Sequence, residues 1–137
     1  MMSIQNPTGR LCQVVVSSPL TVPEVAAFMA KLPPMFQKVG GQAVFAVDLR
    51  GANVFPVDVA EKLQALLQSD NAAIIKSAYL MAPGAVFGMQ VGRLIRDAKN
   101  PNRRAFTDPA ELKRFLSEVA TPDEAAAAER FFARAAA

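Results

Sequence analysis

A chain of 137 residues, 52% apolar and 20% charged, has the material for one domain around one core, and this composition excludes a disordered chain. The absence of histidine and tryptophan excludes a histidine metal site and a Ser-His-Asp triad. A net charge of +3 with a pI near 9.4 is too mild an excess to imply a nucleic-acid partner by itself.

In chain order, residues 3–5 read as a short first strand, followed by the turn signal Asn6-Pro7-Thr8-Gly9. Residues 11–18, LCQVVVSS, are β-branched and bounded by turn residues, so they read as a second strand that completes an edge hairpin. Cys12 falls in that strand and reads as a small buried side chain rather than a reactive thiol. Thr21 with Glu24 three residues on forms a capping box for a helix whose apolar face is Val25, Phe28, Met29 and Leu32. Pro33-Pro34 is expected to end or kink it, with one more turn before Gly40-Gly41.

Residues 43–68 organise the rest. Val44 to Val47 is a continuous apolar run ending at Asp48, which suits a central strand covered on both faces. Arg50-Gly51-Ala52-Asn53 is turn chemistry. Pro56 fits the first turn of a helix, and Asp58 suits its positive dipole end. Val59, Leu63, Leu66 and Leu67 recur at helical spacing; Asp58, Glu61, Lys62, Ala65 and Gln68 lie opposite. After a loop at Ser69-Asp70-Asn71 comes a strand over residues 74–81, with Ile75, Ser77, Tyr79 and Met81 on one face and Ile74, Lys76, Ala78 and Leu80 on the other.

Ala82-Pro83-Gly84 is a turn into a helix over residues 85–99, with Phe87, Val91, Leu94, Ile95 and Ala98 facing the core. Gly88 and Gly92, four apart, predict tight packing of this helix against the sheet. Residues 103–107 form a short last strand. Asp108 caps a helix over residues 109–119 with Pro109 at its first position and Leu112, Phe115 and Leu116 on its apolar face. Thr121-Pro122-Asp123-Glu124 starts an alanine-rich final helix carrying Phe131-Phe132. The order β-β-α-β-α-β-α-β-α plus one extra helix predicts an α/β fold, a mostly parallel sheet of four to five strands covered by helices.

The stretch DLRGANVFPVDVA resembles the signature of the STAS domain, the anti-sigma factor antagonist family, which reads roughly Asp-Leu-Ser-Gly-Val, a short middle, then Asp-Ser-Ser-Gly-Leu. Asp48, Leu49 and Gly51 match its first half, and Val54 and Phe55 its apolar middle. Pro56-Val57-Asp58-Val59 stands where Asp-Ser-Ser-Gly would be. The order of elements extends the resemblance over residues 1–119 as a STAS-like domain, of an uncharacterised bacterial branch that also resembles SEC14-like proteins. Residues 120–137 form a C-terminal helical extension outside it.

The resemblance implies a non-enzymatic signalling module that docks a protein partner through Asn53, Pro56, Val57, Asp58, Glu61 and Lys62. The family's switch serine aligns with Asp58 and the serine before it with Val57, so phosphorylation is lost. Asp58 then acts as a fixed charge or simply favours the helix N-terminus. The alternative is a SEC14-like carrier of a small apolar ligand or lipid. Arg93, Arg96, Lys99, Arg103 and Arg104 are a candidate anion-binding set; a solvated helix face is the plainer reading. The last helix packs onto its own domain or is exchanged in a homodimer. No metal, cofactor or specific nucleic acid is expected, and no GxxxxGK[ST] or GxGxxG phosphate loop occurs. Asp48, Asp58, Asp70 and Asp97 are isolated in sequence, so no acid/base pair is recognisable. No apolar run reaches the roughly 20 residues of a membrane span. A lone cysteine and the lack of a signal-peptide pattern at the start point to the cytoplasm.

Overall fold

The computed structural model describes residues 1–134. Five strands form one sheet in sequential order: β1 (Met2–Thr8), β2 (Leu11–Ser17), β3 (Ala43–Gly51), β4 (Ile74–Leu80) and β5 (Arg103–Phe106). β1 is antiparallel to β2, and the other three pairings are parallel. The helices are α1 (Val22–Lys38), α2 (Val57–Ser69), α3 (Ala85–Asp97), α4 (Pro109–Ser117) and α5 (Pro122–Ala133). This is the mostly parallel α/β architecture, with an additional C-terminal helix, that the element order predicts.

The topology decides which helix covers which face. Three successive crossovers, through α1, α2 and α3, step the same way across the sheet. Crossovers of one hand stepping one way must lie on one face. Accordingly Val25 and Phe28 of α1, Leu63 of α2 and Val91 of α3 share one core with Cys12, Phe45, Val47 and Tyr79. The opposite face, carrying Leu11, Val44, Ala46, Ala78 and Leu80, is covered by α4 and α5 through Leu112, Phe115, Leu116, Ala128 and Phe132. β3 is the middle strand, buried from Ala43 to Leu49, as its continuous apolar run requires.

α5 is thus part of the second layer rather than an appendage. Its start is tied to the β1–β2 hairpin through Glu124, which is 1% exposed. Thr121 and Glu124 form a reciprocal capping box. The same carboxylate accepts the backbone N–H of Arg10 at 2.7 Å and the Arg10 guanidinium at 3.2 Å. Residues 135–137 of the expected helix lie outside the described residues.

Several local expectations are corrected. Pro33-Pro34 does not end α1, which continues to Lys38. Both prolines face solvent, while Leu32 and Val39 on either side are buried and hold the helix to the sheet. Asn6 to Thr8 belongs to β1, and the turn is at Gly9-Arg10; Pro7 is tolerated on an edge strand beside an irregular register. Arg50-Gly51 is the end of β3, not a turn, because Gly51 pairs with Ser17 of β2. Pro56 stands at the cap position of α2, extended at ψ 156°, and the helix begins at Val57. A register shift at the start of the β3–β4 ladder also breaks the simple alternation of β4. Ile74 therefore packs on the α1–α3 side and Ile75 against the α4–α5 side.

Cys12 is buried, and burial pushes its thiol up to about 11, partly countered by Lys38. At neutral pH it is protonated and packs as a small apolar side chain.

The glycines separate two physical situations. Gly9 sits at φ +53°, and a Cβ there would collide with the Glu124 carboxylate. Gly88 and Gly92 of α3 do not make the close approach that their spacing predicts: a Cβ on either would meet no atom of the described residues within 4 Å. Gly92→Ala should therefore raise stability by about 0.5–1 kcal/mol, the ordinary helix-interior difference. Gly9→Ala should lower stability through both strain and collision. Urea unfolding midpoints of the two variants test the opposite signs.

Candidate functional site

The β3–α2 loop, residues 52–56, leaves the carboxyl end of the central strand and is held rather than free. The Phe55 ring is buried and meets the Phe87 ring of α3 edge-on at 5.4 Å between centroids. The Gln90 side chain clamps the same residue: its Oε1 accepts the Phe55 N–H at 2.8 Å and its Nε2 donates to the Phe55 carbonyl at 2.9 Å. At the other end of the loop, the Asn53 N–H donates to Ser18 Oγ at 3.0 Å. α2 and α3 then run side by side, joined by Gln64 to the Leu94 carbonyl at 3.2 Å and Gln68 to the Asp97 carbonyl at 3.4 Å.

Pinning Phe55 inward turns its neighbours outward. Val54 is 48% exposed and Val57 76%. On α3, Val86 (69%) and Met89 (73%) fall off the core face that carries Phe87 and Val91. Among the described residues the only other strongly exposed large apolar side chain is Met1. Scattered exposed apolar residues are ordinary; here Val54 and Val57 stand on either side of the clamped Phe55-Pro56, and Val86 and Met89 lie on α3, the helix whose Phe87 and Gln90 hold Phe55. Val86, Met89 and Gln90 also line a shallow groove with Gly92, Arg93 and Arg96. Gln90 thus joins the loop to the α3 stripe.

The sequence-predicted docking residues lie on this end of the molecule. Asn53, Pro56, Val57, Asp58 and Glu61 are exposed, and Lys62 is half-buried. Asp58 Oδ1 accepts the N–H of Val59 at 2.8 Å, so its carboxylate serves the first turn of its own helix. Val54, Val86 and Met89 are additions. Val86 and Met89 were visible as the apolar residues of α3 left over once its core stripe is drawn. Gln90 carried no signal, because its role depends on a loop 35 residues away.

The five-residue basic set is not brought together. Arg93, Arg96 and Lys99 are exposed on α3 and just beyond it, with Arg96 loosely paired to Asp97 at 3.6 Å. Arg103 faces inward and is 4% exposed. Its guanidinium donates to Asp70 Oδ1 at 2.5 Å, the Leu67 carbonyl at 3.0 Å, Asn71 Oδ1 at 3.0 Å and Tyr79 Oη at 2.8 Å. It joins β5 to β4 and to the end of α2 and has no free face for an external anion. Arg104, one residue on, points to the other side of the sheet and stacks 5.0 Å from the Phe115 ring. Strand alternation separates the two arginines, which sequence adjacency had grouped.

The buried carboxylates are likewise structural. Asp48, 2% exposed at the end of β3, accepts the Arg50 guanidinium in a two-pronged pair at 3.0 Å and Arg134 at 2.8 Å. Burial opposes its charge, but the hydrogen bonds from Arg50 and Arg134 outweigh it and hold the carboxyl below its ordinary value. Burial raises the Asp70 carboxyl, and Arg103 draws it back only part of the way. For Glu124, burial is outweighed by hydrogen bonds from Thr121 and Arg10, and the carboxyl is lowered. Among the described residues no three Cys, Asp or Glu side chains cluster as metal ligands.

The α1–α3 layer contains an apolar cavity of about 70 Å³, lined by Val14, Val47, Phe55, Leu63 and Val91 among others. No helix of the described residues is long and apolar enough to cross a membrane. Comparison with protein-family models, with curated proteins and with solved structures finds no match for this chain.

Replacing Arg103 with Leu would strand the Asp70 carboxylate. The expected loss is about 3–5 kcal/mol of unfolding free energy in urea, the usual result of breaking a buried pair from one side. Glu124 gives a pH signature. Its folded value is depressed, so its contribution is full above the unfolded value of about 4.3 and disappears as pH falls through the folded value. The stability gap between wild type and Glu124→Gln should therefore be widest near neutral pH and close in acid, as followed by urea midpoints across the pH series.

Proposed function

We propose that this chain is a non-enzymatic, cytoplasmic protein-interaction module, similar to the anti-sigma factor antagonists of the STAS family but lacking their phosphorylatable serine. The observation that carries the reading is that the exposed apolar side chains Val54, Val57, Val86 and Met89 all belong to the two segments joined by the Phe55–Gln90 clamp, the β3–α2 connection with the start of α2, and α3. The resemblance assigns partner docking to this same region, and these side chains supply the desolvatable surface that a protein interface needs. A loop held by Phe55 and Gln90 also loses little freedom on binding, which favours affinity. With Val57 and Asp58 at the two serine positions, docking is constitutive rather than switched by phosphorylation.

The core argues for docking over carriage of a lipid or small apolar ligand. Ligand pockets usually enclose roughly 300–1,000 Å³, and the cavity here holds about 70 Å³. The buried acids support a non-enzymatic role, since Asp48, Asp70 and Glu124 each hold two parts of the fold together.

The test is partner capture from the organism of origin, with the captured protein identified by mass spectrometry. Val57→Asp and Lys62→Glu should each abolish recovery of that protein while leaving the circular dichroism spectrum and urea midpoint unchanged. Capture that survives both substitutions places the docking face elsewhere.

A further inference from the structure

We infer that the partner segment seated on this face is an acidic amphipathic helix, with apolar side chains and carboxylates one to two turns apart on one side. The inference rests on the docking reading above and adds the chemistry of the partner. Its basis is the exposed stripe of α3. Val86 and Met89 are spaced i and i+3; Arg93 and Arg96 continue the same stripe at i+7 and i+10. All four line one groove together with Gln90 and Gly92, and no carboxylate of the described residues lines it.

Charge complementarity at the α3 groove selects the occupant, since the exposed carboxylates of the docking face, Asp58 and Glu61, belong to α2 and do not line that groove. Arg93 has no ion-pair partner among the described residues. Arg96 has only Asp97 at 3.6 Å, both side chains more than half exposed, a contact of little strength. Two guanidiniums one turn apart, next to an apolar stretch, match carboxylates one turn apart next to an apolar stretch. The floor suits a helix. Gly92 presents bare backbone between Met89 and Arg93, and no described residue occupies the space where its Cβ would be. An anionic membrane surface fits less well, because the apolar part is two aliphatic side chains on a short helix without the aromatic anchors of an interfacial segment.

The experiment is selection of a random 16-residue peptide display library on the full chain, with sequencing of the enriched peptides. Binding is then measured by fluorescence anisotropy for wild type, Met89→Asp and the double substitution Arg93→Glu/Arg96→Glu. The substituted side chains lie on the surface, and circular dichroism verifies that each variant folds. The expected result is enrichment of peptides that combine apolar residues with Asp or Glu at helical spacing. Their binding should be lost in Met89→Asp and weakened at least about tenfold by the double charge reversal. A repeat selection on the reversed variant should enrich Lys and Arg instead.

Enriched peptides without acidic bias, or binding indifferent to Arg93 and Arg96, overturns the inference. So does failure to enrich any peptide. Binding to phosphatidylcholine–phosphatidylserine vesicles that is abolished by the charge reversal, without peptide enrichment, overturns it in favour of a membrane surface. Failure of the docking reading itself looks different. Partner capture that depends on Val57 but not on Arg93 or Arg96 keeps the docking face and removes only its acidic specificity. Capture that survives Val57→Asp removes the face.

Discussion

The structure depends on one constraint: β3 is apolar on both faces and must be covered on both. Seven consecutive buried residues, Ala43 to Leu49, leave no solvated side. The three crossover helices all fall on one face of the sheet, because the strands are added in one direction by crossovers of one hand. The second face can be closed only by the chain beyond β5. α4 covers part of it, and α5 covers the rest with Ala127, Ala128, Phe131 and Phe132. Burying Val44, Ala46 and Leu11 requires that helix, and its attachment is correspondingly specific.

Ion pairs close the seams between these layers. Arg10 and Glu124 fasten the hairpin turn to the start of α5. Asp48 and Arg134 fasten the end of β3 to the end of α5. Arg103 and Asp70 fasten the edge strand β5 to the end of α2. Each pair joins elements far apart in sequence, and each has at least one nearly inaccessible partner. Such groups are costly to desolvate and costly to leave alone, so they specify one arrangement of layers more than they add net stability. The hairpin turn shows how closely this is built. Gly9 has no side chain at the point where the Glu124 carboxylate passes.

The candidate interface lies at the loop that follows the carboxyl end of β3. Parallel strands deliver their following loops to one end of the sheet, the usual place for binding in α/β folds. There the chain directs Phe55 inward to Phe87 and Gln90 and leaves Val54 and Val57 outside. Rigid loop, exposed apolar centre and basic margin arise from one arrangement: α3 packs its Phe87 stripe on the sheet and presents Val86, Met89, Arg93 and Arg96 to solvent.

By itself the sequence determined the order of the elements and the apolar faces of the helices, while the faces of β4 waited on the register shift at its start. The apolar run before Asp48, the helical spacing of Val59, Leu63, Leu66 and Leu67, and the capping boxes at Thr21 and Thr121 are local patterns, set by periodicity and short-range hydrogen bonds. Their alternating order specified the parallel sheet, and the β3–α2 loop was legible as a candidate site. Only the tertiary structure decided which charges are structural and which are free. Arg103 and Arg104 are neighbours in the chain, yet pleating sends one into a buried pair with Asp70 and the other across the sheet to Phe115. Gly88 and Gly92 have the spacing of a tight contact, yet that face of α3 is turned to open space. The Gln90 clamp and the outward turn of Val54, Val57, Val86 and Met89 depend on how the β3–α2 loop and α3 lie together. That arrangement is fixed by packing between distant segments, and local periodicity carries no record of it.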